Sequence, residues 1–250
     1  MSSLKLNKIS TRAGKEFDKE DTKIKTQKII EDLKELQNLL YAEHQHSVLV
    51  IVQGMDGSGK DGAIKNVFGE LNPQGVDVAS FKAPTDLELD HDFLWRIHQH
   101  APSKGMIQIF NRSHYEDILI TRVHNMIDED TAKKRMKAIN NFEQILKVHG
   151  KTEILKFYLH ISPDEQKERL EERLSNPAKM WKYNENDFKE AKLWDKYMSA
   201  YEDCFDKCND IPWTIVPADQ NWYKEYIIAS TLKDLLTNLG MRYPGIKKEE

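Results

Sequence analysis

The residues Gly54-Met55-Asp56-Gly57-Ser58-Gly59-Lys60-Asp61 follow the apolar run Val48-Leu49-Val50-Ile51-Val52 with only Gln53 between. Glycines let a backbone turn until its N–H groups converge on an anion, and a helix starting at the turn adds its dipole. The spacing is G-x-x-x-x-G-K, with a strand before and a helix after, as a phosphate cradle requires. Gly57, Ser58, Gly59 and Lys60 are its anion-binding members. Two features depart from the common pattern. Asp61 stands where Ser or Thr usually follows the lysine, and Asp56 lies inside the turn. A carboxylate beside phosphate is repulsive unless a cation lies between, so both point to carboxylate-held Mg²⁺. An ordinary glycine turn with a surface lysine would need neither the flanking elements nor the acids.

A second cluster, Phe110-Asn111-Arg112-Ser113-His114-Tyr115-Glu116-Asp117, follows the strand predicted at 106–110. In open parallel sheets ligands bind beyond the carboxyl ends of strands, so this cluster should share a crevice with the glycine turn. Enzymes with such turns commonly place an Asp for Mg²⁺ at the matching strand end. Here that position holds Asn111, a neutral and weaker oxygen donor, and Asp56 can make up the deficit. The planar fork of Arg112 suits two phosphate oxygens. Glu116 and Asp117 also suit the start of a helix for purely structural reasons. Transfer between phosphate oxygens needs little proton removal, so His114 is not assigned as a base.

The third cluster is basic: Arg169 and Arg173, on one face of a predicted helix, then Lys179 and Lys182 beyond Asn176-Pro177. These read as a mobile lid over about 164–185 that closes on a phosphate chain and excludes water. The competing reading is a solvated helix stitched by Glu165–Arg169 and by Glu168 or Glu172 with Arg173. Lys65 and Lys82 are further candidates for the phosphate path. The stripe Phe188, Trp194, Tyr197, Met198, Tyr201, Phe205 has the spacing of a buried helix face.

Elements that position these clusters alternate along the chain. Helices are predicted at 19–43, 60–71, 87–100, 115–126, 130–149, from Ser162 to the break at Asn176-Pro177, at 185–208 and at 222–239. Strands are predicted at 48–53, 75–81, 106–110, 154–161 and 213–216. Near-continuous apolar strands between helices mean an α/β fold, a parallel sheet covered on both faces. The chain should form one domain over 1–250, with an N-terminal extension over about 1–46 whose first 18 residues are loosely held or wrapped over a neighbour. A net charge of −4 over 250 residues argues against nucleic acid as partner. No leader and no run of roughly 20 apolar residues is visible, so no membrane is involved and the cytoplasm is expected. Cys204 and Cys208, four apart, read as reduced thiols.

Together, G-M-D-G-S-G-K-D, Asp90-His91-Asp92-Phe93-Leu94-Trp95-Arg96, Asn111-Arg112-Ser113-His114-Tyr115-Glu116-Asp117, Lys179-Met180-Trp181-Lys182, Trp194-Asp195, Tyr201-Glu202-Asp203 and Val216-Pro217-Ala218-Asp219 resemble the type-2 polyphosphate kinases over about 20–240. The resemblance implies a three-layer P-loop kinase fold with a helical lid. It also implies reversible phosphoryl transfer from inorganic polyphosphate to a nucleotide with Mg²⁺, or Mn²⁺ in its place, in a homo-oligomer, dimer or tetramer. Most of that family carries Asp at the position of Asn111. Asn there, with Glu in N-R-S-H-Y-E, is similar to the class III branch, which accepts AMP and ADP, with GMP and GDP as further acceptors. On this resemblance Asp56, Lys60, Arg112 and Glu116 are catalytic. Asp56 with Asn111, Asp61 or Glu116 surrounds the metal, and Asn111, Glu116 and Asp117 meet the acceptor. Lys60, Asp61, Lys65, Lys82, Arg112, Arg122, Arg169, Arg173, Lys179 and Lys182 meet the phosphates.

Two other functions compete. An ATP-dependent nucleoside monophosphate kinase of thymidylate-kinase type shares the loop and an arginine lid, but Asp61 is not equivalent to its usual Ser or Thr. A nucleotide-sensing switch or a phosphate-storage binding protein would lack turnover, and no N-K-x-D guanine-reading signal follows the loop, which lowers the GTPase form of that reading.

Overall fold

The computed structural model describes residues 4–245; the rest of the expected domain, 1–3 and 246–250, lies outside them. In chain order the elements are α1 (Lys19–Glu43), β1 (Ser47–Gln53), α2 (Lys60–Phe68), β2 (Val76–Ser80), α3 (Asp86–Leu89), α4 (Trp95–His98), β3 (Ile107–Asn111), α5 (Ile120–Val123), α6 (Glu129–Gly150), β4 (Thr152–His160), α7 (Pro163–Ser175), α8 (Glu185–Ala191), α9 (Trp194–Lys207), β5 (Trp213–Pro217) and α10 (Asn221–Asn238). The five strands are all parallel in the order β2-β3-β1-β4-β5. β1 is central and every one of its residues is buried, which is why it reads as an unbroken apolar run.

β1 and β3 pair with Val52 opposite Asn111. The chain therefore leaves both strands at the same level, and 54–61 and 111–117 emerge side by side. This is the crevice expected where crossovers diverge to opposite sides of the sheet. Among the described residues, no helix is long and apolar enough to cross a membrane.

Three predicted helices are broken. The segment 87–100 is two short turns, because Thr85 and Glu88 form a capping box that starts α3 and Asp92 accepts from the Leu94 N–H. The segment from Tyr115 opens as a 3₁₀ turn, His114–Ile118, set by Ser113 accepting from the Tyr115 N–H. The helix read over 185–208 is α8 and α9, because its stripe serves two partners. Phe188 meets Tyr183, whereas Tyr197, Tyr201 and Phe205 enter the core.

The N-terminal segment is strapped to its own chain rather than loose. Leu6 is buried, its N–H donates to Glu202, and the Asp219 N–H donates to the Thr11 carbonyl. His160 reaches the carbonyls of Leu6 and Ile9 at 3.1 and 3.2 Å.

Candidate active site

The glycine turn has the predicted shape. Gly59 sits at φ +86, where an L side chain is strained, and precedes the first turn of α2. The N–H groups of Gly57, Gly59, Lys60 and Asp61 have no partner among the described residues, as a turn made to receive an anion requires. Lys60 is buried and curls over the turn, donating to the carbonyls of Gly54 (2.7 Å) and Met55 (3.2 Å). Burial, reinforced by Arg112, pushes its amine down to about 8, against the pull of Asp56 and Glu116.

Arg112 leaves β3 in the left-handed conformation, φ +61, and its guanidinium pairs with Asp56. Burial alone would raise the Asp56 carboxyl, but Lys60 and Arg112 hold it below its ordinary value. Glu116 moves the other way. Burial raises it despite Arg112 and Lys60. With its amide oriented to satisfy both neighbours, Gln53 donates to Glu116 at 3.0 Å and accepts from Ser113 Oγ at 3.1 Å. Asn111 donates to Asp61 at 2.9 Å, and Lys182 reaches the other oxygen of Asp61 at 3.0 Å.

Asp56, Lys60, Asp61, Asn111, Arg112, Glu116 and Lys182 are therefore brought together. Arg173 pairs with Asp187 and its field reaches Asp56, so it borders the same crevice. Lys179 pairs with Glu172, and Arg122 with Glu129 and Asp203. Arg169 spends its donors on Glu165 and on the carbonyls of Gly57, Ala218 and Asp219, gripping the outside of the turn. Asp117 faces Arg96 and Arg135, and burial pushes it up to about 6. Lys65 lines a groove of about 550 Å³ between α1, α2 and α10 with Lys23, Glu70 and Trp222. Lys82 follows β2, and its carbonyl accepts from Arg96.

Sequence reasoning missed several neighbours. Lys224 and Gln166 touch the turn from behind, and Asp187 faces Arg173. Beneath the 3₁₀ turn lies a fully buried network. Lys156 Nζ donates to Glu143, to Tyr115 Oη (both 2.8 Å) and to the Cys208 carbonyl (3.0 Å), with His114 on the same carboxylate. His114 and Tyr115 come from the 111–117 cluster, but Glu143 and Lys156 belong to no local motif and only the fold brings them there.

Among the described residues, no three His, Cys, Asp or Glu side chains converge to hold a metal alone. The donors present are hard oxygens: Asp56, Asp61, Glu116 and the Asn111 carbonyl, whose amide nitrogen is already committed to Asp61. That set fits a small divalent cation held by one or two carboxylates, with phosphate oxygens and water completing its shell.

A phosphate cradle at the head of a parallel sheet, with lysine, arginine and carboxylates at adjoining strand ends, defines a P-loop phosphotransferase. Residues 16–242 match the family model described as Polyphosphate kinase 2 (PPK2), and the chain belongs to that family. An AMP/ADP-polyphosphate phosphotransferase of Meiothermus ruber is 50% identical over 214 residues, covering 85% of this chain and 80% of the relative. An ADP-polyphosphate phosphotransferase of Rhodopseudomonas palustris is 44% identical over 229 residues, covering 86% and 79%. The crystal structure of Polyphosphate Kinase 2 from Arthrobacter aurescens TC1 superposes with a TM-score of 0.95 at 41% identity, covering 100% of this chain and 91% of the other. The family is one of kinases, and the chain is an enzyme of the P-loop kinase fold.

Proposed function

We propose that this enzyme moves a phosphoryl group reversibly between inorganic polyphosphate and a nucleotide, AMP to ADP and ADP to ATP. The observation that carries the reading is the convergence of Lys60, Arg112 and Asp56 on unpartnered loop amides. The relatives' names support AMP and ADP as acceptors; Asn111 in place of Asp is the feature that extends the proposal to GMP and GDP. Transfer between phosphate oxygens is catalysed by positioning and charge neutralisation. Loop amides and Lys60 hold the transferred group, and Arg112 neutralises its equatorial oxygens after release from Asp56. Glu116, fixed by Gln53, orients the acceptor or its metal. Asp56 with Asn111, Asp61 or Glu116 holds Mg²⁺, or Mn²⁺ in its place, which when bound lowers the charge between donor and acceptor. Lys182 and Arg173, with Lys179, approach from the lid over about 164–185 of a single domain.

A homo-oligomer is supported by exposed Val78 on edge strand β2 and Leu87 and Leu89 on α3. Two buried free cysteines, Cys204 and Cys208, suit the cytoplasm. The net charge of −4 speaks against nucleic acid. The thymidylate-kinase alternative is not favoured by relatives named for polyphosphate. Incubation with AMP, polyphosphate and Mg²⁺, with no ATP added, should yield ADP and then ATP. Absence of both products at micromolar enzyme would refute the reading.

A further inference from the structure

Side chains donate to every carbonyl of the glycine turn from Gly54 to Gly59. Lys60 takes Gly54 and Met55, Gln166 takes Asp56 at 2.8 Å, and Arg169 takes Gly57 at 3.0 Å. Lys224, from α10, takes both Ser58 and Gly59 at 3.2 Å. The third proton of Lys224 goes to Asn221 Oδ1 at 2.9 Å, so the ammonium is fully used although the residue is only 1% exposed. A Cβ on Gly59 would lie 2.4 Å from this nitrogen. The bare glycine thus serves the outer face of the turn as well as the inner one.

Each carbonyl shares its peptide plane with the N–H of the next residue. A cation bonded to the oxygen fixes the direction of that N–H and, by polarising the amide, makes it a stronger donor. Lys224 therefore acts on the N–H groups of Gly59 and Lys60, two of those open to the crevice. A buried ammonium is costly to keep: burial, with Arg169 close by, pushes this amine down to about 7, yet its hydrogen bonds among the described residues go only to the turn and its own helix.

We propose that Lys224 is a positioning residue for phosphoryl transfer, holding the Ser58 and Gly59 carbonyls outward so that the Gly59 and Lys60 N–H groups are aimed at, and polarised toward, the bound phosphate. This rests on the reading of the turn as the polyphosphate site.

The test compares the full-length protein with Lys224→Met, which has no donor, and Lys224→Gln, which keeps a donor without charge. Lys224→Met should lower kcat/KM for polyphosphate and the calorimetric affinity for inorganic tripolyphosphate by about 10- to 100-fold. The KM for AMP should stay within about twofold, since uniform damage would move both substrates. Lys224→Gln should fall between, and the ¹H–¹⁵N resonances of Gly59 and Lys60 should move upfield in both variants. A Lys224→Met protein within about threefold of wild type for polyphosphate, a difference of under one kcal/mol, would overturn the proposal. Should Lys224→Met fail to fold, the same criterion applies to Lys224→Gln. Should neither fold, wild-type Gly59 and Lys60 amide protons at unshifted positions would overturn it. A wild type that binds tripolyphosphate but transfers nothing to AMP overturns the activity and leaves Lys224 to be judged by binding alone.

Discussion

Arg112 lays its guanidinium on the carboxylate of Asp56 while its own backbone stands at φ +61. A non-glycine residue in that conformation costs of order 1 kcal/mol or more, and such residues gather where function dictates the geometry. The strain turns Arg112 out of β3 and across to the neighbouring loop. Cation and anion thus face each other, and the proposed function requires an incoming phosphate to displace the carboxylate from the arginine.

Asp56→Asn should separate charge from shape. The side chain keeps its size and an oxygen donor, so the fold survives, but the charge that draws a divalent cation is gone. We expect kcat to fall about 10²- to 10³-fold, the range seen when one electrostatic element of a transition-state site is removed. A Mg²⁺ titration should show a weaker apparent affinity. Unchanged rate and metal dependence would remove Asp56 from the machinery.

Lys60 supplies a pH prediction. Its amine stands at about 8 against an ordinary 10.5, because burial opposes the charged form. The unfolded chain therefore binds more protons between these values, and stability contributed by this group rises with pH through that window. Anion binding has the opposite sign. Phosphate favours the ammonium, so tripolyphosphate affinity should fall as pH climbs past about 8, with proton uptake detectable as buffer-dependent heat. Lys60→Ala should abolish that dependence and most of the rate.

Asn111→Asp tests why a neutral amide ends β3. Asn111 donates to Asp61, and a carboxylate there would face a like charge. In the absence of metal we expect a loss of about 0.5–1 kcal/mol, kept small because Asp61 is well exposed. Mg²⁺ should restore the melting temperature by bridging the two acids. A variant whose melting is indifferent to Mg²⁺ would speak against a cation between these positions.

The buried pair behind the site should be less forgiving. Lys156 and Glu143 are both at 0% side-chain exposure. Glu143→Gln leaves the ammonium without its counter-charge and should cost about 3–5 kcal/mol, read by urea unfolding. Burial alone would raise Glu143, but His114 and Lys156 hold it below its ordinary value. Its contribution is therefore present above the unfolded carboxyl range and lost as pH falls through the folded value. The variant should lack that acid-side loss.

What the sequence disclosed follows the range of the forces involved. Strands and loop were legible because β1 is apolar from Val48 to Val52 and the glycines after it fall at fixed spacing, both local signals. The break between α8 and α9 was not, since no proline or glycine separates Phe188 from Tyr197, yet the two pack on different neighbours. Lys224 and Glu143 were invisible as well. A lone lysine or glutamate on a helix looks solvated until the fold shows what it is pressed against. Arg169 and Arg173 share a helix face as expected, yet one grips carbonyls and the other meets Asp187.

The strap made by the first residues also fixes an order of events during synthesis. Thr11 binds Asp219, the Asp219 carbonyl holds Arg169, and Lys224 closes the back of the turn, so residues near both ends must meet before the cradle is whole. On the ribosome, residues 54–61 emerge long before that can happen. The braces from Asp219 and Lys224 are therefore out of reach of the loop until α10 has left the exit tunnel.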